Sequence, residues 1–529
     1  MTRLPRLPVG IASFEVLREG GFVYVDKTED IYRMVDEGIY YFLARPRRFG
    51  KSLLVSTLRC LFQGRRELFE GLWIADAEWA WEEHPVVLLD FNQIARDTPQ
   101  NLELALKREL INTAARYQAT LEEPLLEGQF HELIRKLQQR AGQPVAVLVD
   151  EYDKPIIDHL GQGAERAAIA RANRDILKRL FGVLKGGDVT PILRFVLLTG
   201  ISRFSKVSVF SELNNLNDLS MHPRYATLLG YTPAEVEANF APHLARFAAA
   251  QELSRAALLE RLAQTYDGYR FTKRAVTVYN PFSTLKALEM GDFGHYWFET
   301  GTPTFLIELL REQQYPLPQL EHFQAQIYLF ATYDLENLQP EALLFQTGYV
   351  TIKDVEDTLY TFGYPNQEVK TAFVTQLLYA FAGQSKQRVD SLTARLAGHL
   401  RREDFTAFFE TIQAIFAKIP YTLNTHRDEA YFHTLFYLMI AASGAQADPE
   451  LLTSRGRIDL AVTFAEQVYV MEFKCNQSPR VALEQIRARG YAERYRGSGK
   501  RVFLMGLEFS PEERNLVAWD VVELQESER

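Results

Sequence analysis

The sequence predicts an α/β protein in three parts: a mainly parallel sheet domain, a mostly helical middle and a smaller α/β unit at the C-terminus. Three observations carry this expectation. Between residues 39 and 199 the short apolar runs Tyr40–Ala44, Val86–Asp90, Val145–Asp150 and 195–199 alternate with helical patterns, as in a sheet covered on both faces. From about Thr232 to Glu410 the pattern is helical. Beyond that, a helix at Glu429–Ala442 precedes alternating strands at 457–464 and 468–474, a helix near 481–495 and a strand at 501–506, an αββαβ unit. The expected borders are 1–230, 231–410 and 411–529. Within the middle part, 349–353 and 358–363 flank the polar Asp354-Val-Glu-Asp357 and read as a hairpin, which suggests a winged-helix-like module.

At 529 residues, with 47% hydrophobic and 24% charged residues, the chain is long enough for two to four cores. No run approaches the length of a membrane span, and Met1-Thr-Arg-Leu-Pro5 lacks the apolar stretch of a signal peptide. Two cysteines, Cys60 and Cys475, are too few for a disulfide framework or a zinc site and suit a reducing cytosol, so a cytoplasmic protein without a membrane partner is expected. A formal charge of −9 argues against a general electrostatic grip on nucleic acid, which would have to rely on a local patch or a metal. One stretch qualifies: Arg480, Arg487, Arg489, Arg494, Arg496, Lys500 and Arg501 face only Glu484 and Glu493, although such a stretch also describes a solvated helix face.

The run Tyr40–Ala44 leads into Arg45-Pro-Arg-Arg-Phe-Gly-Lys-Ser52 and then a helical pattern. A strand, tight loop and helix in that order aim backbone N–H groups and a helix N-terminus at a polyanion. Lys51 then reaches the β- and γ-phosphates, Ser52 ligates Mg²⁺, and Gly50 lets the backbone come close. Arg45 stands where G-x-x-x-x-G-K-[ST] has its first glycine. The apolar strand Val145–Asp150 ends in two acids, Asp150 to hold Mg²⁺ through a water and Glu151 to polarise the attacking water. Thr199 ends a further strand and is a candidate γ-phosphate sensor. The nucleotide-binding set is therefore Arg47, Arg48, Phe49, Gly50, Lys51, Ser52, Leu53, Asp150 and Thr199, with ATP and Mg²⁺ as cofactors. Arg47 and Arg48 contact phosphates or a nucleobase, or are loop surface. Arg203 reads as an arginine finger toward a neighbouring subunit or as a structural salt bridge.

These segments, with Val149-Asp-Glu-Tyr-Asp-Lys-Pro155 and Leu198-Thr-Gly-Ile-Ser-Arg203, resemble the AAA-ATPase-like family of prokaryotic proteins whose C-terminal part is a PD-(D/E)XK nuclease domain. Tyr266-Asp-Gly-Tyr-Arg-Phe271, Tyr279-Asn-Pro-Phe282, Phe345-Gln-Thr-Gly-Tyr349 and Tyr364-Pro-Asn366 extend the resemblance over nearly the whole chain; taken alone they read as turns and core without chemistry. The resemblance implies that the arginine in place of the first glycine is a family trait, and that nucleotide state controls assembly or release of an effector.

In the C-terminal part Asp459 lies on one expected strand, while Glu472 and Lys474 share a face of the next, so a hairpin brings Asp459 opposite Glu472 or Phe473, with a bulge where needed. Two converging carboxylates take Mg²⁺ or Mn²⁺, and Lys474 orients or activates water. Gly456-Arg-Ile-Asp459 with Glu472-Phe-Lys474 matches the PD-(D/E)XK constellation. Glu429 is a further metal ligand or a helix N-terminal charge. His433 is expected to be a core or surface histidine, and Gln485 and Arg487 are candidate nucleic-acid contacts. The expected function is an ATPase coupled to a metal-dependent nuclease acting on DNA in preference to RNA, with a nucleotide-dependent homo-oligomer as a possible assembly. The alternative is a nucleotide-switched scaffold that binds without cutting.

Overall fold

The computed structural model describes residues 4–203, 213, 215–297, 304–313, 315–330, 339–382, 386–419, 428–453 and 456–524. Two compact units form, one from Met1–Leu309 with Gln324–Thr361 and Pro365–Gln367, the other from Leu310–Phe323, Phe362–Tyr364 and Glu368–Arg529. The stretch 231–410 is thus shared between them.

The first unit is organised by β1 (Tyr40–Ala44), β2 (Val86–Asp90), β3 (Val145–Asp150), β4 (Leu193–Gly200) and β5 (Asn217–Asp218), in the order β2-β3-β4-β1-β5 and parallel throughout. Each residue of β1 and β3 is buried. This is why those strands read as unbroken apolar runs rather than alternating ones. Parallel neighbours need crossovers, and the helices Lys51–Phe62, Pro99–Arg116, Leu126–Ala141 and Gly163–Gly182 supply them. Insertion of β4 between β1 and β3 sets the loop leaving β1 and the acidic end of β3 on either side of Thr199, at the carboxyl edge where open α/β sheets bind ligands.

The helices Pro233–Asn239, Ala241–Ala250, Arg255–Tyr266 and Pro281–Met290 close around Val236, Phe240, Leu244, Phe247, Leu258 and Leu262. A capping box starts this bundle, with the Thr232 hydroxyl accepting from Glu235 N and the Glu235 carboxylate from Thr232 N. Strands β6 (Phe323–Gln326), β7 (Thr351–Glu356) and β8 (Leu359–Gly363) form a small sheet. The expected hairpin is present, but its turn falls at Asp357-Thr358, with Asp357 at φ 52°, so Asp354 to Glu356 are strand.

In the second unit β9 (Gln446–Thr453), β10 (Gly456–Thr463), β11 (Gln467–Cys475), β12 (Arg501–Ser510) and β13 (Asn515–Glu523) form one sheet in the order β13-β12-β11-β10-β9. All pairs are antiparallel except β11 with β12, whose crossover is the helix Pro479–Ala488. Leu483 and Ile486 of that helix pack on Val468, Val470, Val502 and Leu504. Aromatic rings cover the other face: Phe416 and Phe432 meet Phe509, Phe436 meets Phe473, and Phe409 stacks on Trp519 at 4.7 Å. The expected αββαβ core lies within this sheet, which adds β9 and β13 at its edges.

Candidate functional site

Residues 45–50 leave β1 and enter the helix Lys51–Phe62. Gly50 has φ 94° and offers no side chain to cap the helix, so the first-turn N–H groups are left for a ligand. Arg45 explains the missing first glycine. Its guanidinium is buried and donates to the carbonyls of Ala44 (3.0 Å), Ser220 (2.6 Å) and Tyr225 (3.2 Å), with Phe271 beneath it at 4.2 Å. Burial pushes its pKa down to about 9, still above neutrality, so it is a charged brace under the loop rather than a phosphate ligand.

The motifs read from sequence as turn and core form the bed of this loop. Phe49 is buried edge-on against Tyr269 (4.8 Å) and Phe271 (5.4 Å), so its backbone alone is available to a nucleotide. Trp297 Nε1 donates to the Arg47 carbonyl (3.1 Å), and Arg48 lies over the Phe282 ring (4.4 Å). Gly348 meets Pro46 so closely that a Cβ there would stand 2.7 Å from the Pro46 Cβ.

Lys51 Nζ donates to the carbonyls of Arg45 (3.0 Å) and Pro46 (3.2 Å) and faces Glu151 Oε1 at 3.3 Å. Ser52 Oγ donates to Asp150 Oδ2 (2.5 Å) and Thr199 Oγ1 to Asp150 Oδ1 (2.7 Å). Thr199 is fully buried and orients Asp150. Burial raises the pKa of Asp150. Glu151 sits at φ 55°, a strained backbone for a non-glycine residue at a strand end. Sequence reasoning passed over Asp153. Its buried carboxylate accepts from Ile201 N (3.0 Å), Ser202 N (2.7 Å) and Ser202 Oγ (2.6 Å), tying the end of β3 to the segment after β4, and burial beside Glu151 raises its pKa to about 6. Arg203 proves to be the structural salt bridge: it pairs with Asp218 at 2.7 Å.

Lys51, Ser52, Glu151 and Asp153 border a cavity of about 660 Å³. Arg47 to Leu53, Glu151 and Lys154 line it with polar and charged groups, while Ile11, Leu228, Tyr231, Phe282 and Leu285 supply apolar surface suited to a base.

In the second unit the β10–β11 ladder runs from Thr463↔Val468 to Leu460↔Met471. Beyond it the Asp459 carboxylate takes the Phe473 N–H (2.9 Å), and the Asp459 carbonyl faces His433 Nε2 (2.7 Å). No bulge is needed, because the side chain of Asp459 replaces the ladder. His433 is buried, which lowers its pKa, and it positions the Asp459 backbone. Glu472 is 1% exposed; Oε1 accepts from Lys474 Nζ (3.3 Å) and from Gln485 Nε2, whereas Oε2 is buried with no partner among the described residues. Burial, and then the neighbouring Asp459, pushes the Glu472 pKa up to about 8; burial also raises that of Asp459.

A carboxylate oxygen with no partner among the described residues, beside a second carboxylate, offers hard oxygen ligands that a divalent cation fits. Glu429 is exposed in the first turn of its helix, yet near enough that its charge helps to raise the Glu472 pKa; no three His, Cys, Asp or Glu side chains gather to hold an ion among the described residues. Arg487 is exposed, and two residues from Gln485 on a helix it faces about 200° away from it.

A phosphate loop facing the acidic end of a parallel strand defines an ATPase-like domain, and a carboxylate pair with lysine on a mixed sheet defines a nuclease-type fold. Comparison with known proteins agrees: residues 8–210 match the family described as predicted AAA-ATPase, and residues 427–519 the PD-(D/E)XK nuclease superfamily. Over 98% of its length the chain is 40% identical to a protein of Azotobacter chroococcum mcd 1, described as an uncharacterized protein in the vnfD 5′ region, 99% of which is covered. The chain belongs to this AAA-ATPase-like family with a C-terminal PD-(D/E)XK nuclease-superfamily domain. Among the described residues no helix is long and apolar enough to cross a membrane.

Proposed function

We propose that this protein binds and hydrolyses ATP in its first unit and uses nucleotide state to control a metal-dependent nuclease in its second, acting on DNA in preference to RNA. The observation that carries the nuclease reading is Glu472: a buried carboxyl with one oxygen lacking a partner among the described residues, beside Asp459 and Lys474. Such burial is costly unless a ligand compensates it. Asp459 and Glu472 hold Mg²⁺ or Mn²⁺, Lys474 orients water at the scissile phosphate, and Gln485 fixes the Glu472 carboxylate. In the first unit Lys51 neutralises phosphate charge, Ser52 and Asp150 hold Mg²⁺, and Glu151 accepts the proton of the attacking water. At either place a divalent ion supplies positive charge beside the phosphate and lowers the pKa of bound water.

A second reading, a nucleotide-switched scaffold that binds without cutting, draws on one observation: among the described residues no group of three or more His, Cys, Asp or Glu side chains gathers to hold an ion. Plasmid nicking with Mg²⁺ or Mn²⁺, in parallel with labelled single- and double-stranded DNA and RNA, separates the two. Cleavage by the wild type that Asp459→Ala abolishes supports the nuclease; retained binding with no cutting under any metal supports the scaffold. Running the assay without nucleotide, with ADP and with a non-hydrolysable ATP analogue tests control, which equal rates in all three would refute.

A further inference from the structure

We propose that Lys154 contacts the terminal phosphate of a bound nucleoside triphosphate and supplies, from within the same chain, the positive charge that stabilises phosphoryl transfer. This deepens the nucleotide reading of the first-unit cavity and rests on it. Arg203, the sequence's candidate for such a charge, is committed elsewhere: Nε and Nη2 donate to Asp218 (3.1 and 2.7 Å), Nη1 points to the Met221 sulfur (3.2 Å), and its N–H donates to Gln346 Oε1 (2.8 Å). Lys154, by contrast, stands in the same turn as the candidate base. Its N–H donates to the Glu151 carbonyl (3.0 Å), and both residues line the cavity.

The cations around that cavity differ in what holds them. Lys51 faces Glu151 (3.3 Å), Arg96 faces Asp158 (2.6 Å), and Lys27 faces Glu235 (2.6 Å), each a carboxylate, while Arg48 on the loop lies over the Phe282 ring. Lys154 Nζ instead donates to a neutral acceptor, Asn92 Oδ1, at 2.6 Å. Asn92 is itself aimed. Its backbone N–H (2.9 Å) and its Nδ2 (3.0 Å) both donate to Asp90 Oδ1, which leaves the amide oxygen for the ammonium. Asp90 is in turn placed by its register with Asp150, so the relay is anchored to the strand that carries the acidic site. A lysine steered by an amide keeps its full charge available, and exchanging that contact for an anionic phosphate oxygen gains a charge-assisted bond.

In hydrolysis the water oxygen bonds to the γ-phosphorus while the bond from that phosphorus to the β–γ bridging oxygen breaks. ADP leaves with the bonding pair, the proton of the water passes to Glu151, and Lys154 keeps its protons and acts by charge alone.

The test is nucleotide binding to the full chain, read by fluorescence titration with labelled ADP and a labelled non-hydrolysable ATP analogue, for wild type, Lys154→Met, Lys154→Arg and Asn92→Ala. Lys154→Met should bind ADP as the wild type does, which also reports an intact cavity, while its affinity for the analogue falls roughly tenfold to a hundredfold, the loss expected for a hydrogen bond to a charged group. Lys154→Arg should recover part of the preference, and Asn92→Ala should lose less than Lys154→Met. An unchanged ratio of analogue to ADP affinity in Lys154→Met, or equal loss of both ligands, overturns the proposal. A wild type that binds neither nucleotide overturns it together with the nucleotide reading.

Discussion

Removing the charge that Glu472 acquires at high pH should abolish a pH dependence built into the second unit. Burial beside Asp459 raises its pKa from an ordinary 4.5 to about 8, so the folded protein favours the neutral acid. Below about pH 4.5 folded and unfolded chains both carry the proton and Glu472 costs nothing. Between the two values the folded chain holds a proton that the unfolded chain has released, so stability falls as pH rises; above about 8 the full penalty is present. At about 1.36 kcal/mol per pH unit that penalty tends to on the order of 5 kcal/mol, of which about 2 kcal/mol develops between pH 6 and pH 8. Hydrogen exchange of peptides from β10 and β11, in EDTA and corrected for the intrinsic rate, should therefore lose roughly thirtyfold of protection over that interval. Glu472→Gln should flatten the profile, and Mg²⁺ or Mn²⁺ should restore the protection of the wild type at pH 8. A wild-type profile already flat in EDTA, or one that Glu472→Gln leaves unchanged, would refute the reasoning.

Three other variants concern the first unit. Lys51→Ala should lose ATP binding in a filter or fluorescence assay, whereas Glu151→Gln should bind normally and lose turnover by at least a hundredfold, about the lower end for loss of a positioned base; variants that hydrolyse like the wild type would remove the phosphate-site assignment. Gly348→Ala, at φ 88° with Pro46 2.7 Å from the new Cβ, should lower the melting temperature, since a left-handed backbone alone costs about 1–2 kcal/mol in a residue with a side chain; nucleotide affinity should fall with it because Pro46 belongs to the phosphate loop, and an unchanged affinity would show the bed of the loop to be unimportant.

How much of this was legible in the sequence depends on the reach of each interaction. Strands β1 and β3 were plain because burial on both faces leaves unbroken apolar runs, and Glu472 because a charge inside Val-Tyr-Val-Met-Glu-Phe-Lys is costly without a purpose. Strand β9 was hidden by Pro449, which is tolerated only because β9 is an edge. Arg45 read only as the residue in place of the first glycine, since nothing local announces that carbonyls and a ring from distant segments will surround its guanidinium. Thr199 ended the right strand, but its direction depends on β4 lying beside β3, a matter of sheet order. The pairing of Lys154 with Asn92 spans 62 residues and depends on the register of Asp90 against Asp150.

The two sites differ in how their side chains are engaged, and the difference bears on how the proposed ATPase would operate. Glu472 has an oxygen with no partner among the described residues, so a cation gains that contact without breaking another. At the phosphate loop the groups are engaged with one another: Lys51 with two loop carbonyls and Glu151, and Ser52 with Asp150. Phosphate must compete for Lys51, and each step toward it weakens the hold on Glu151. On the proposed function, the residue that must accept a proton from water is therefore restrained by the same lysine that recognises the nucleotide, and it is released when the nucleotide arrives. Binding and readiness for hydrolysis then become one event, which makes Lys51 a determinant of both affinity and turnover.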